Sequence, residues 1–385
     1  MRLNTTHVEF EAATASKLDH DDSMLLCEPI DPAPAATTAF NFVLRGCPCC
    51  AALPTIAAGA AFDPPPLFGV PLVDTHNHVH KQAREVRESQ PTKSYSAVLA
   101  VDEACWDTVL ERCAEDPLAA PGLGIHPWCV HELMPGWAER LRAKLVEHPG
   151  ALVGEIGLCK CARNLRGAGE KKRVWPLQME AFTTQLAIGG ELRRPASVHC
   201  VKAHSKLLEL LQEPPTALPP AIALHSFSGT AHDVKQLLAL RVAGPLLFFG
   251  FSYTVNVAMG GAPGSAAHDA LLQAIRAVPR ERLLVESDCD SEAKAADALR
   301  RAIQLVADAR GWTPEEAAQL TTANGMRFLQ SGACGPTRAV AHSRAEAGVT
   351  SSDDHGLTWP SASDAHSPPI ATIEWRWRYL QAMHA

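Results

Sequence analysis

Eight short apolar runs, most of them followed by a stretch of helical character, recur between residues 69 and 330. This alternation limits the folds open to the chain more than any other feature. The runs lie at residues 70–73, 96–101, 122–125, 151–156, 196–198, 221–224, 245–251 and 282–285. Helix-like segments lie between them at 103–114, 137–147, 176–192, 205–211, 231–240 and 266–278, and two more follow near 293–309 and 314–329. The last begins Thr313-Pro314-Glu315-Glu316, with an N-cap, a proline at the first helical position and a glutamate at the third, which is a capping box. Strands alternating with helices imply a parallel sheet. Eight is the number that closes into a (β/α)8 barrel, typically roughly 250 residues long. A doubly wound open sheet is the alternative, but no Gly-rich phosphate fingerprint follows the first run. The expectation is an α/β fold, a TIM-like (β/α)8 barrel over residues 69–330.

The flanks read differently. Residues 1–68 are rich in Ala, Thr and Pro without sustained periodicity, and read as a weakly ordered extension. Cys47, Cys49 and Cys50 lie there, but no second ligand pair follows at a zinc-knuckle spacing. Residues 331–385 shift to Ser, Ala, His, Asp and Gly and read as a mostly disordered tail. Near its end Ile373, Trp377 and Leu380 would share the face of a terminal helix. The early acids Asp19, Asp21, Asp22 and Asp31 disfavour a transit peptide, and the apolar stretch 51–62 is interrupted by Pro54 and too short to span a bilayer. A protein of the cytoplasm or nucleus with reduced thiols and no membrane association is expected. The net charge of −7 argues against a broad basic face for duplex DNA but leaves room for a local basic patch.

Ligand-type residues gather at the ends of the apolar runs. Asp74-Thr75-His76-Asn77-His78 follows the first, and alternation along a strand turns His76 and His78 the same way. Glu155 lies in Gly154-Glu155-Ile156-Gly157-Leu158, His199 closes Ser197-Val198-His199, His225 opens His225-Ser226-Phe227-Ser228-Gly229, and Asp288 closes Glu286-Ser287-Asp288. Singly, each has a plain structural explanation; Asp288, for instance, could cap a helix. In a barrel, however, all of them converge on one mouth. Imidazole and carboxylate ligands together suit Zn, Mn or related ions, and more oxygen would favour Mg. Six ligands exceed what one catalytic ion needs, so two divalent ions roughly 3.5–4 Å apart fit the count better.

The ordered motifs D-T-H-N-H, G-I-H-P-W, G-E-I-G-L, S-V-H, H-S-F-S-G, G-F-S and E-S-D resemble those of the TatD-type metal-dependent deoxyribonucleases of the amidohydrolase superfamily. The resemblance runs from about residue 70 to 329 and is that of a divergent, eukaryote-like member. It implies a TIM-like barrel, a divalent metal centre and phosphodiester hydrolysis. By position it implies that His76, His78 and Asp288 hold one ion, that Glu155 bridges, and that His199 and His225 hold the second. His126, in Gly124-Ile125-His126-Pro127, matches a further position that faces substrate, and Asp288 would also take a proton from the attacking water. The chain departs from the family pattern at Cys159, where Asp is usual, at Cys289 after E-S-D, where Pro is usual, and at Val201, where Arg is common. These departures bear on substrate identity more than on metal binding.

Lys160, Arg163, Arg166, Lys171, Lys172 and Arg173 crowd the segment after the fourth run, opposed by Glu170. Such a run is usually a solvated face, but a basic lip beside a metal centre would gather a phosphate backbone. Trp128, Phe227 and Tyr253 could stack on unpaired bases or simply pack the core. The expected activity is a deoxyribonuclease acting on single-stranded DNA or duplex ends through two divalent ions (Mg, Mn or Zn). The alternatives are hydrolysis of a cyclic amide or ester and a catalytically silent scaffold. Six intact candidate ligands weigh against the scaffold.

Overall fold

The computed structural model describes residues 67–81, 94–162, 167–214 and 216–332. The cysteines at 47, 49 and 50, the segment 373–380 and Arg163 with Arg166 lie outside the described residues. The strands are β1 (Leu72–Asn77), β2 (Ser94–Leu99), β3 (Ala119–Leu123), β4 (Leu152–Cys159), β5 (Ala196–Val201), β6 (Ile222–Leu224), β7 (Leu247–Ser252) and β8 (Leu283–Glu286). The α-helices are α1 (Trp106–Ala114), α2 (Trp137–Glu147), α3 (Ala168–Glu191), α4 (His204–Gln212), α5 (Ala231–Leu238), α6 (Ala266–Ala277), α7 (Glu292–Arg310) and α8 (Pro314–Leu329). All eight expected strands are present and pair in sequence order, each parallel to the next. The seam between β8 and β1 is stitched beyond the strand ends. There Asp288 N donates to His76 O at 3.0 Å and His78 N to Cys289 O at 2.7 Å. The result is a TIM-type barrel, nearly closed at this seam.

Alternation along the strands builds two apolar layers. Val73, Tyr95, Ala97, Leu99, Ala120, Leu152, Ala223, Phe248 and Leu284 point into the barrel. The intervening positions, such as Val98, Leu123, Val153, Val198, Phe249 and Val285, pack outward against the helices. Each fully buried aliphatic or aromatic side chain contributes about 1.5–3 kcal/mol. Helix α8 lies close to β1: a Cβ on Gly325 would meet Val73 Cγ1 at 2.7 Å. Its Phe328 sits 6.0 Å from the Phe248 ring. Its start carries the expected capping box, Thr313 with Glu316, and Pro314 in the first turn.

One helix boundary differs from the sequence expectation in a way that matters. Helix α3 begins at Ala168 and runs through Pro176, whereas the sequence pattern marks a helix-like segment only from 176. Proline inside a helix forfeits one main-chain hydrogen bond. Here the amphipathic length on either side outweighs that loss, with Val174, Gln178, Ala181, Phe182, Gln185 and Leu186 buried. Lys171, Lys172 and Arg173 therefore stand on the first turns of a helix, not in a loop.

Candidate metal centre

The site sits where β1, β4, β5, β6 and β8 end. A register shift between Asp74 and Asn77 interrupts the alternation on β1, and beyond it His76 and His78 both reach the centre. His78 Nδ1–H donates to Leu99 O at 2.8 Å, which leaves the Nε2 lone pair free to face the centre. His76 Nδ1 is 2.8 Å from Ser197 Oγ. The two Nε2 atoms meet at 3.3 Å. His225 stacks on His76 with centroids 3.8 Å apart and 12° between planes.

Glu155 lies at the heart of the cluster, at a register shift between Val153 and Ile156 in β4. Its Oε2 faces His78 Nε2 at 3.3 Å and His76 Nε2 at 3.7 Å. Its Oε1 faces His225 Nε2 at 2.8 Å, His199 Nδ1 at 3.0 Å and His126 Nε2 at 3.4 Å. Gly157, two residues on, has φ +148°, and a Cβ there would collide with His199 O, so only glycine lets β4 come this close to β5.

The charges follow from this crowding. Burial opposes ionisation of Glu155, but the histidines around it, His126 and His225 foremost, hold its carboxyl well below the usual range. Burial pushes His76 down and keeps it neutral. Burial also pushes His126 down, to about 4. His225 and His199 go the other way: burial opposes their charge, but Glu155 raises both, helped by Glu286 and Asp288 at His225 and by Cys159 at His199, which reaches about 9.

Asp288 is held by a turn with φ +50°. Backbone in this region costs a non-glycine residue about 1–3 kcal/mol, repaid here by contacts. Oδ1 stands 3.7 Å from His78 Nε2, and Oδ2 accepts from Ser226 Oγ at 3.1 Å. Ser226, itself at φ +39°, donates its backbone N–H to Glu286 Oε1, and its hydroxyl lies 3.0 Å from that same oxygen, so one hydroxyl proton serves Glu286 and Asp288 in turn. Asn256 donates from Nδ2 to the carbonyls of Ser226 and Phe227 and so fixes that turn. A Cβ on Gly250 would collide with the Glu286 carboxylate, so the glycine of the expected G-F-S motif makes room for that acid. Asp74 braces the other side, accepting from Ser287 N at 2.8 Å and Ser287 Oγ at 2.6 Å.

These residues fit a divalent metal. His76, His78 and Asp288 each offer a donor atom within 4.8 Å of the others, as do His76, Glu155 and His225, and His126, Glu155 and His199. Imidazole and carboxylate donors of this kind suit Zn, Mn and similar ions. The Nε2 atoms of His76 and His78 face each other at 3.3 Å beside the Glu155 and Asp288 carboxylates, a set of nitrogen and oxygen donors that a cation would share.

All six expected ligands are thus brought together. His126, expected to face substrate, is buried against Glu155. Its Nδ1 accepts from Trp128 N at 3.1 Å, so in the neutral ring the proton sits on Nε2, directed at Glu155. That tautomer makes His126 a donor and not a ligand. Lys160, Lys172 and Arg173 are exposed, Lys160 Nζ lying 5.6 Å over the Trp175 ring and Arg173 pairing with Glu170 at 2.7 Å. Phe227 is 2% exposed and packs edge-on against Phe249, so it belongs to the core and stacks on nothing outside. Asp74, Ser197, Ser226 and Glu286 lie inside the motifs read from sequence but receive no role there, and Asn256 has no sequence signal.

The comparisons agree with this geometry. The family described as TatD related DNase matches residues 73–330. The chain is 26% identical over 231 residues to Cut9-interacting protein scn1 of Schizosaccharomyces pombe, a match covering 50% of this chain and 66% of that protein. It is 32% identical over 165 residues to the 3'-5' ssDNA/RNA exonuclease TatD of Klebsiella pneumoniae, covering 43% of this chain and 55% of that one. The chain therefore spans less than two thirds of the length of either relative. The crystal structure of the TatD homologue YJJV from Escherichia coli superposes with a TM-score of 0.53 at 22% identity, over 67% of this chain and 97% of that one, a likeness of fold. Family match, barrel and ligand set coincide over the same residues, and the chain belongs to the TatD related DNase family.

Proposed function

We propose that this chain is a metal-dependent hydrolase that cleaves phosphodiester bonds of DNA, at single-stranded or duplex ends, with two divalent ions. One observation carries the reading: Glu155 turns Oε2 to His76 and His78 and Oε1 to His199 and His225, the arrangement of a carboxylate shared between two cations. In this assignment His76, His78 and Asp288 hold one ion and His199 and His225 the other. When bound, such a pair supplies an acidified water and positive charge opposite the developing and departing oxygens.

The chain's own residues do the rest. Asp288 takes the proton of the attacking water, with Ser226 Oγ–H holding its far oxygen in place. The His126 Nε2–H steadies the negative charge between Glu155 and the scissile phosphate. Lys160, Lys171, Lys172 and Arg173, and Arg163 outside the described residues, draw the phosphate backbone towards the mouth. The name of the Klebsiella relative, a 3'-5' ssDNA/RNA exonuclease, supports a nucleic-acid substrate with a free end. We assign the catalytic unit to residues 69–330, the flanks 1–68 and 331–385 to other roles, and the protein to the cytoplasm or nucleus. No helix among the described residues is long and apolar enough to cross a membrane. The fission-yeast relative is named for an interaction with Cut9, which motivates a second reading in which this barrel also binds a protein partner.

The test is metal-stripped protein, re-supplied separately with Mg, Mn or Zn and given end-labelled single- and double-stranded DNA. Cleavage that returns with metal is expected. No cleavage with any of the three would overturn the nuclease reading.

A further inference from the structure

Strand β5 carries a hydroxyl at Ser197, two residues before His199. The two-residue period sets both side chains on one face. Ser197 is fully buried and pairs in register with Ala223 on β6, a member of the inward apolar layer. A Cβ on Gly154 would meet the Ser197 Cβ at 3.1 Å, so β4 passes close on the other side. Alanine would fill this space as well as serine, and Ala97, Ala120 and Ala223 do so at inward positions of β2, β3 and β6. A buried hydroxyl is costly unless it is hydrogen-bonded. The Ser197 oxygen lies 2.8 Å from His76 Nδ1, its hydrogen-bond partner among the described residues.

The other nitrogen of His76 faces acceptors. His78 gives its Nδ1–H to Leu99 O at 2.8 Å, so in the neutral ring its Nε2 is a bare lone pair, and that atom lies 3.3 Å from His76 Nε2. Glu155 Oε2 stands 3.7 Å from His76 Nε2. Two lone pairs repel, so with both rings neutral the His76 proton sits on Nε2 and Nδ1 is left to accept. The group placed to donate to it is the Ser197 hydroxyl. A cation held by His76 and His78 needs the opposite arrangement, with Nε2 bare and the proton at Nδ1. A carbonyl or carboxylate beside Nδ1 could only accept, and would fix that second tautomer alone. A hydroxyl both donates and accepts.

We propose that Ser197 is a positioning residue that serves both tautomers of His76, donating Oγ–H to Nδ1 in the metal-free protein and accepting Nδ1–H when a cation occupies Nε2. The ring keeps one proton throughout, since one leaves Nε2 as one arrives at Nδ1, and the hydroxyl only turns. The ring is thus held in place before the ion arrives and after it is bound. This inference rests on the metal-centre reading above and deepens it.

The experiment compares the full chain with its S197A and S197T variants, with folding checked by circular dichroism. Long-range proton–nitrogen NMR reads the His76 ring directly. In the metal-free wild type Nε2 should be the protonated nitrogen and Nδ1 the acceptor, and in the zinc-loaded protein the pattern should invert. In metal-free S197A the Nδ1 resonance should move downfield, towards that of an unbonded lone pair, whereas S197T should stay near the wild type. By calorimetry S197A should weaken one zinc ion by about 10- to 100-fold and leave the other unchanged. S197T should recover most of that loss. A His76 that already carries its proton on Nδ1 in the metal-free wild type would overturn the proposal. So would zinc affinities in S197A equal to the wild type at both sites, or weakened equally at both, which would mark a general loosening of the barrel. Should threonine be too bulky beside Gly154 to fold, the S197A spectra and affinities carry the comparison. Failure of the wild type to bind zinc would instead overturn the underlying metal-centre reading, and the metal-free spectra would still decide the bond between Ser197 and His76.

Discussion

Glu155 Oε1 lies 2.8 Å from His225 Nε2, while the other oxygen of the same carboxylate turns to the β1 histidines. A side chain placed between two imidazole sets is the one whose loss separates metal binding from folding. Glu155→Gln keeps the shape and removes the charge. It should lower turnover by orders of magnitude while the far-ultraviolet circular dichroism stays that of the wild type. Near-normal turnover in folded Glu155→Gln would refute the shared-carboxylate role.

Metal uptake should release protons. The folded pKa of His199 is raised to about 9 and that of His225 is raised as well, so the metal-free protein holds protons on both rings at neutral pH. A cation must displace them. Apparent affinity should therefore fall as pH drops below about 9. Calorimetry at pH 7 in two buffers of different ionisation enthalpy measures the release; identical heats in both would contradict it.

Bound metal should stabilise the barrel, because a ligand set assembled from five strands exists only in the folded chain. Free ion at ~100 times its Kd adds about 2.7 kcal/mol. Thermal unfolding with and without a chelator checks this, and a midpoint indifferent to metal would count against a folded-state site.

His126 supplies a pH dependence of the metal-free protein. Its pKa is depressed from 6.5 to about 4, chiefly by burial. A depressed histidine contributes stability that is full above pH 6.5 and is lost as pH falls through about 4. His126→Asn should be less sensitive than wild type to acid across that window. Parallel urea midpoints for the two proteins from pH 7 to pH 4 would show that the ring is not held neutral.

The basic turn of α3 should act on binding and not on chemistry. Reversing Lys171, Lys172 and Arg173 to Glu should raise KM for oligonucleotides several-fold at low salt and leave hydrolysis of a small phosphodiester nearly unchanged. The difference should fade as salt rises, because counterion release drives such contacts. Equal oligonucleotide kinetics would reduce these residues to a solvated helix face.

Much of this molecule is legible in its residues because a barrel translates sequence into space by a simple rule. Eight apolar runs separated by helices close the sheet, and whatever follows a run arrives at one mouth. His76, His78, Glu155, His199, His225 and Asp288 were therefore readable as one cluster, and Thr313 with Glu316 as a helix start. What tertiary structure decided are matters of an ångström between residues far apart in the chain. Whether Pro176 begins a helix or lies within one depends on how much apolar surface α3 buries against the barrel. Whether His126 is a ligand or a donor depends on the Trp128 N–H meeting its Nδ1. The brace of Ser226, Asn256 and Glu286 depends on β6, β7 and β8 lying side by side. Local pattern sets which side chains reach the mouth. Only the assembled sheet sets their separations, and hydrogen-bond direction, tautomer and charge depend on separation.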